Sequence, residues 1–252
     1  MVALAVIAFV AGLVVGSFVN VVAHRLPLGQ SIVRPRSRCP QCGETIAAYD
    51  NVPIVSWLVL RGRCRHCGEA ISPRYPLTEL AGGALFCATY LRFPDEPELW
   101  LGLAFVTMLL IVTVTDLEHR IIPNRVLLPS ALAGVAIVAA IDPSDLGESA
   151  IAAAAAGGFL LLVVLAYPRG MGMGDVKLAA VMGIYLGRAV APAMLAGFAA
   201  GAIVGLAIIA RRGASARKQA VPFGPFLAIG GLVGLYAGDQ IVDWYLDTFF
   251  NG

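Results

Sequence analysis

Four cysteines occupy two copies of one short pattern, C-P-Q-C-G-E-T-I at 39–46 and C-R-H-C-G-E-A-I at 64–71. In each copy a Cys-x-x-Cys pair and its glycine form a tight turn that can aim two thiolates at one metal. Four thiolates give a closed tetrahedral site, for which zinc is the expected ion and Cys39, Cys42, Cys64 and Cys67 the expected ligands. The twenty-one residues between the pairs slightly exceed the usual spacing of about 15–20. Two disulfides or four free thiols are the alternatives, and a reducing compartment disfavours the disulfides. A closed site has no open position, so its expected role is folding. His66 is an alternative ligand. Cys87 falls in an apolar run and reads as a packed residue.

The second constellation is a pair of acids. Asp175 lies in G-M-G-D-V-K-L (172–178) at the edge of an apolar run, and Asp116 ends another in D-L-E-H-R-I-I-P-N (116–124). An ionisable group at a membrane helix suggests function. The chain crosses the membrane twice between these acids, which places both on one side. Two neighbouring carboxylates can share a proton, one activating water while the other polarises a carbonyl. Gly172 and Gly174 would allow unusual backbone angles and close approach of a peptide. Glu118 is a rival for the first acid. The bland alternatives are a helix-boundary acid at Asp116, a first-turn acid favoured by the helix dipole at Asp175, and an interfacial anchor at Lys177.

Positioning these groups falls to apolar helices. The 252 residues are 59% hydrophobic and 13% charged, against about 25% charged in soluble domains. Continuous apolar runs exclude a β-barrel and indicate an all-α polytopic membrane protein. Eight spans are expected, near 2–23, 77–92, 99–116, 126–141, 149–167, 175–187, 190–210 and 226–246. The first reads as a retained span because it lacks a basic n-region and a clear cleavage site. The expected organisation is a first transmembrane helix at 1–24, a cytosolic zinc-binding segment at 25–76, and a transmembrane core at 77–252. With this topology, sixteen of the eighteen Lys and Arg residues fall on the side of 25–76. The positive-inside rule then puts that segment in the cytosol and both termini outside; the expected location is the inner membrane. G-x-x-x-G repeats at Gly197, Gly201 and Gly205 suit close helix packing within the chain, with a homodimer as the alternative. P-F-G-P-F (222–226) reads as a rigid entry turn, and Arg211–Lys218 as a solvated loop near lipid headgroups. No nucleic-acid partner is expected.

Taken in order, these stretches resemble the type IV prepilin peptidases, the bifunctional leader peptidase/N-methyltransferases. The resemblance begins at G-S-F-V-N-V-V-A-H-R-L-P (16–27) and passes through both cysteine pairs. It takes in N-V-P-I-V-S-W-L-V-L-R-G-R-C (51–64), I-S-P-R-Y-P-L-T-E-L (71–80), both acid motifs and P-F-G-P-F-L-A-I-G-G (222–231). It implies an aspartic protease with Asp116 and Asp175 as the catalytic pair and Gly172, Gly174 and Lys177 as their supporting loop. It also implies prepilin and pseudopilin substrates with short basic leaders, and methylation of the new N-terminus with S-adenosylmethionine. Gly62 and Glu79 are candidates for methyl transfer, Glu79 as the group that would hold or deprotonate the ammonium; an ion pair with Arg74 is its structural alternative. A peptidase without methyl transfer, and a transporter or assembly scaffold, are the competing readings.

Overall fold

The structure is a computed structural model that describes residues 1–94, 96–168, 171–213 and 221–250. Arg169, Arg217 and Lys218, used in the charge argument, lie outside the described residues. The chain forms two compact units, Met1–Leu99 and Trp100–Gly252.

The first unit is an antiparallel helix pair carrying a small irregular segment. α1 (Val2–Arg25) packs along α3 (Arg74–Arg92), and a short α2 (Val55–Val59) lies in the segment between them. The glycines of α1 and α3 set the packing distance. A Cβ on Gly12 would meet the main chain of Gly82 and lie 2.7 Å from Phe86 Cβ, and one on Gly16 would lie 2.6 Å from Glu79 Cα. Lipid offers helices no hydrophobic drive to associate, so close backbone approach and polar contacts must supply it. Asn20 adds such a contact, its Nδ2 donating to Tyr75 O at 3.2 Å and to Gly16 O at 3.3 Å. Val6, Ile7, Val10 and Val14 remain exposed, as lipid-facing residues would.

The second unit contains α4 (Glu98–His119), α5 (Asn124–Ile141), α6 (Leu146–Ala166), α7 (Met173–Leu186), α8 (Val190–Arg212) and α9 (Gly224–Phe249). Phe105, Met108, Leu109, Leu178, Met182 and Leu227 fill its core. Phe105 stacks on Tyr185 at 5.1 Å, and Tyr185 Oη donates to Ser130 O at 2.7 Å, which fastens α7 to α5. Gly197 and Gly201 meet Phe226 and Phe223, so two glycines of the G-x-x-x-G stripe serve packing of α8 on α9 within the chain. Arg188 joins three elements at one end of this unit. Its backbone N–H donates to Glu148, and its guanidinium pairs with Asp239 at 3.1 Å and Asp243 at 2.9 Å.

The fold is all-helical among the described residues, with two isolated β-bridges. Each of the eight expected runs forms a helix. Six helical stretches are long and apolar enough to cross a membrane, which makes this a multi-pass membrane protein. Arg74–Arg92 is not among the six, and Met173–Arg212 counts as one stretch of 40 residues. That stretch is divided by the turn at Gly187–Ala189, where Gly187 has φ +51°. The eight expected spans are thus eight helices but six such stretches.

Gly82→Val would force α1 and α3 apart at a main-chain contact. Thermal unfolding in detergent is expected to show a loss of roughly 1–3 kcal/mol, whereas Gly158→Val, whose Cβ enters open space, should leave the midpoint in place.

Candidate functional site

Asp116 and Asp175 both lie in the second unit, and both are buried. Asp116 occupies the last turn of α4, and its Oδ2 accepts the N–H of Gly224, the first residue of α9, at 2.8 Å. Asp175 occupies the first turn of α7, and its Oδ2 accepts the Gly172 N–H at 3.1 Å. Each carboxylate therefore meets main-chain donors at a helix start, where unpaired N–H groups and the helix dipole favour negative charge. Glu118, the rival acid, lies 3.6 Å from His119 Nε2.

The supporting loop differs from expectation in one respect. Gly172 has an ordinary extended backbone with φ −89°, and Gly174 is helical. What Gly174 provides is room, since a Cβ there would lie 3.0 Å from Ile122 Cβ. The segment after Asp116 can therefore press against the start of α7. Lys177 Nζ donates to Asn124 Oδ1 at 3.1 Å and ties α7 to the start of α5. The residue that the sequence reading missed is Gly224. P-F-G-P-F is the start of α9 rather than only an entry turn, and a Cβ on Gly224 would lie 2.8 Å from Asp116 Oδ2. A glycine ahead of a proline in an aromatic setting was the only signal, and nothing in it names a partner 108 residues away.

In the first unit the two cysteine repeats fold alike. Cys39 N–H donates to Glu44 O and Gly43 N–H to Cys39 O; Cys64 N–H donates to Glu69 O and Gly68 N–H to Cys64 O, all at 2.8–2.9 Å. Gly43 and Gly68 both have φ +73°. The four Sγ atoms lie within 4.8 Å of one another, and Cys39 Sγ is 3.8 Å from Cys67 Sγ. Two thiolates on one tetrahedral zinc at about 2.3 Å would be about 3.8 Å apart. The amides of Cys42 and Gln41 pull Cys39 down to about 7. Those of Cys67 and His66 lower Cys64. Cys67, although it receives the Glu69 amide, is pushed up to about 12 by burial and by the neighbouring sulfurs. Four sulfurs this close cannot all ionise unaided, and a divalent cation would supply the missing charge. Arg65 holds the second turn in place through a two-pronged pair with Asp50, at 2.6 and 2.8 Å.

Beside these turns lies a chamber of about 500 Å³, within the range of about 300–1,000 Å³ usual for small-molecule sites. Its lining includes Val52, Ile54, Trp57 and Leu60 as well as Asn20 and Glu79. Glu79 is buried, and its Oε2 accepts the Ile54 N–H at 2.7 Å. Ile54 has φ +60°, a strained conformation for a β-branched residue. Asn20 Oδ1 is buried and accepts no hydrogen bond from another protein group. Gly62 lines no part of the chamber; it lies behind Trp57, and at φ +66° a Cβ on it would come 2.9 Å from Trp57 Cζ2. Nothing in the sequence around Trp57 or Asn20 marks either residue as part of a chamber.

An all-helical membrane protein with two buried carboxylates in one unit and a four-cysteine cluster in the other defines the class to which the comparisons lead. The bacterial peptidase A24 N-terminal domain matches residues 10–93, and the type IV leader peptidase family matches residues 103–209. The chain is 38% identical over 242 residues to a prepilin leader peptidase/N-methyltransferase of Bacillus subtilis (strain 168), covering 95% of this chain and 97% of that one. It is 43% identical over 217 residues to a protein of the same name from Myxococcus xanthus (strain DK1622), covering 83% of this chain and 64% of that one. A third, from Aeromonas hydrophila, is 34% identical over 273 residues, covering 96% and 93%. The chain belongs to the type IV leader peptidase family, and it is an enzyme of that family. No solved structure matches it.

Gly62→Ala combines a left-handed backbone angle with a clash against the indole. It is expected to cost about 1–2 kcal/mol and to change the tryptophan emission spectrum of the purified protein.

Proposed function

We propose that the chain removes the leader peptide of prepilins and pseudopilins with Asp116 and Asp175 and then methylates the new N-terminus. The observation that carries the first half is the pairing of two buried acids with main-chain donors at two helix starts, Gly224 and Gly172. The membership in the family and the names of the relatives support both halves. One carboxylate takes a proton from water as it attacks the scissile carbonyl, and the other, protonated, donates its proton to the carbonyl oxygen; as the tetrahedral intermediate collapses, the first carboxyl passes the water-derived proton to the leaving amine and the second takes back a proton from the gem-diol hydroxyl. The Gly224 and Gly172 amides hold the two side chains in place through the cycle. Lys177 and Gly174 keep the start of α7 against the segment that follows Asp116.

The topology that suits this chemistry has every helix but the short α2 crossing the inner membrane, with 25–76 and the aspartates on the cytosolic side and both termini outside. Segment 1–24 is then the first span, 25–76 the zinc-bearing segment and 77–252 the transmembrane remainder. Lipid is the surrounding partner, and a second copy would find open space at Gly205.

For methyl transfer the first-unit chamber is the site supported best. S-adenosylmethionine, when bound, supplies an electrophilic methyl group. Glu79 would hold the N-terminal ammonium and take its proton, because only a neutral amine attacks. Cys39, Cys42, Cys64 and Cys67 would hold zinc, whose role would be structural, fixing the turns whose Cys39 and Cys64 line the chamber.

Mass spectrometry of a prepilin incubated with purified enzyme and S-adenosylmethionine tests both halves. Loss of the leader and gain of one methyl group are expected. Asp116→Asn and Asp175→Asn should each reduce cleavage by at least about a hundredfold, with the proteins still folded. Cleavage by either variant at the wild-type rate would remove the dyad, and cleavage without methylation would leave a peptidase alone.

Metal analysis is expected to find one zinc per chain and less in Cys64→Ser. Apparent zinc affinity should fall as the pH is lowered, since protons compete for the thiolates; an affinity independent of pH would argue against thiolate ligation.

A further inference from the structure

Trp57 has a position that packing alone does not require. Its Nε1–H donates to Ile71 O at 3.1 Å, so the polar edge of the indole is already satisfied by the main chain. The turn that carries it is closed by Gly62 N–H to Trp57 O at 2.8 Å, and joined to the next segment by Ile71 N–H to Gly62 O at 2.7 Å. Gly62, with φ +66°, lets the main chain lie directly against the ring, where any side chain would intrude. The indole is thus held by one hydrogen bond and backed by a glycine, and it also lines the chamber next to Ile54 and Leu60. Glu79 and Asn20 supply polar groups to the same chamber.

We infer that Trp57 is the platform on which the adenine ring of the methyl donor stacks. The inference rests on the methyl-transfer reading above and assigns a residue within it. A flat aromatic surface whose rotamer is already fixed loses little entropy on binding, and it suits a purine because every base presents a π-face. It also gives Gly62 a physical role: the glycine positions the platform and need not touch the ligand. Trp57 is therefore a binding residue and Gly62 a positioning residue.

The test uses the full-length, zinc-loaded protein in detergent, with S-adenosylhomocysteine as the unreactive probe. In a Trp100→Phe/Trp244→Phe background, Trp57 is the sole tryptophan. Its emission should change saturably with the probe and with adenosine, and not with methionine. By calorimetry, Trp57→Leu should weaken probe binding about tenfold or more and Trp57→Phe by less than about threefold. Both should retain their zinc. Unchanged probe affinity in Trp57→Leu, or an emission that stays fixed at saturating probe, overturns the assignment. A response to methionine rather than adenosine overturns the adenine placement. Should Trp57→Leu lose its zinc, the emission experiment on the intact residue decides alone. A wild-type protein that neither binds the probe nor methylates prepilin would instead sink the methyl-transfer reading, a result distinct from all of these.

Discussion

A carboxylate buried in an apolar helix bundle must be met by donors, and this requirement organises the second unit. Both acids are met by main-chain N–H groups at helix starts, Asp116 by α9 and Asp175 by α7. Charged side chains could have served, but they would have brought competing charge into the unit. Amides supply positive potential without titrating. The arrangement demands that α4 end where α9 begins, and this explains the small residues along α9. Gly224 leaves room for the Asp116 carboxylate, Gly230 and Gly234 for α8 and its preceding turn, and Gly238 for Ala189.

The first unit meets a different constraint. Its segment between α1 and α3 lacks long helices, so main-chain links and paired charges must hold it. Two identical turns bring four sulfurs together, Arg65 and Asp50 lock one of them, and the closed turn from Trp57 to Gly62 supports the indole. The strained backbone of Ile54 is tied to Glu79 by a 2.7 Å hydrogen bond. Strain of this kind persists only where its surroundings over-determine it, and it collects at functional positions.

How much of this was legible in the sequence depended on the range of the interaction. The cysteine turns were readable because ligand spacing and the following glycine are local. Parity singled out Asp116 and Asp175 together, since two expected crossings return the chain to the same side, and the structure places both, buried, in the second unit. Gly224 was not readable as a donor, because its N–H is aimed by the packing of α9 on α4, and an amide carries no residue-type signal. Gly62 could be named from the family resemblance, yet its physical reason is the Trp57 ring behind it, known only once the turn is folded. Gly172 and Gly174 were expected to permit unusual backbone angles, whereas one is extended and the other helical. The chamber gathers residues from α1, both cysteine turns and α3, and no periodicity in the sequence marks such a set.

α7 is too short to cross a bilayer by itself. Its 14 residues rise about 21 Å, some 9 Å less than a hydrocarbon core of about 30 Å. Leu178, Ala179 and Met182 have no exposed surface, so protein rather than lipid surrounds them. A helix that ends inside protein can have its terminal main-chain groups met by neighbours instead of water, and the short helix that carries Asp175 in its first turn is of this kind.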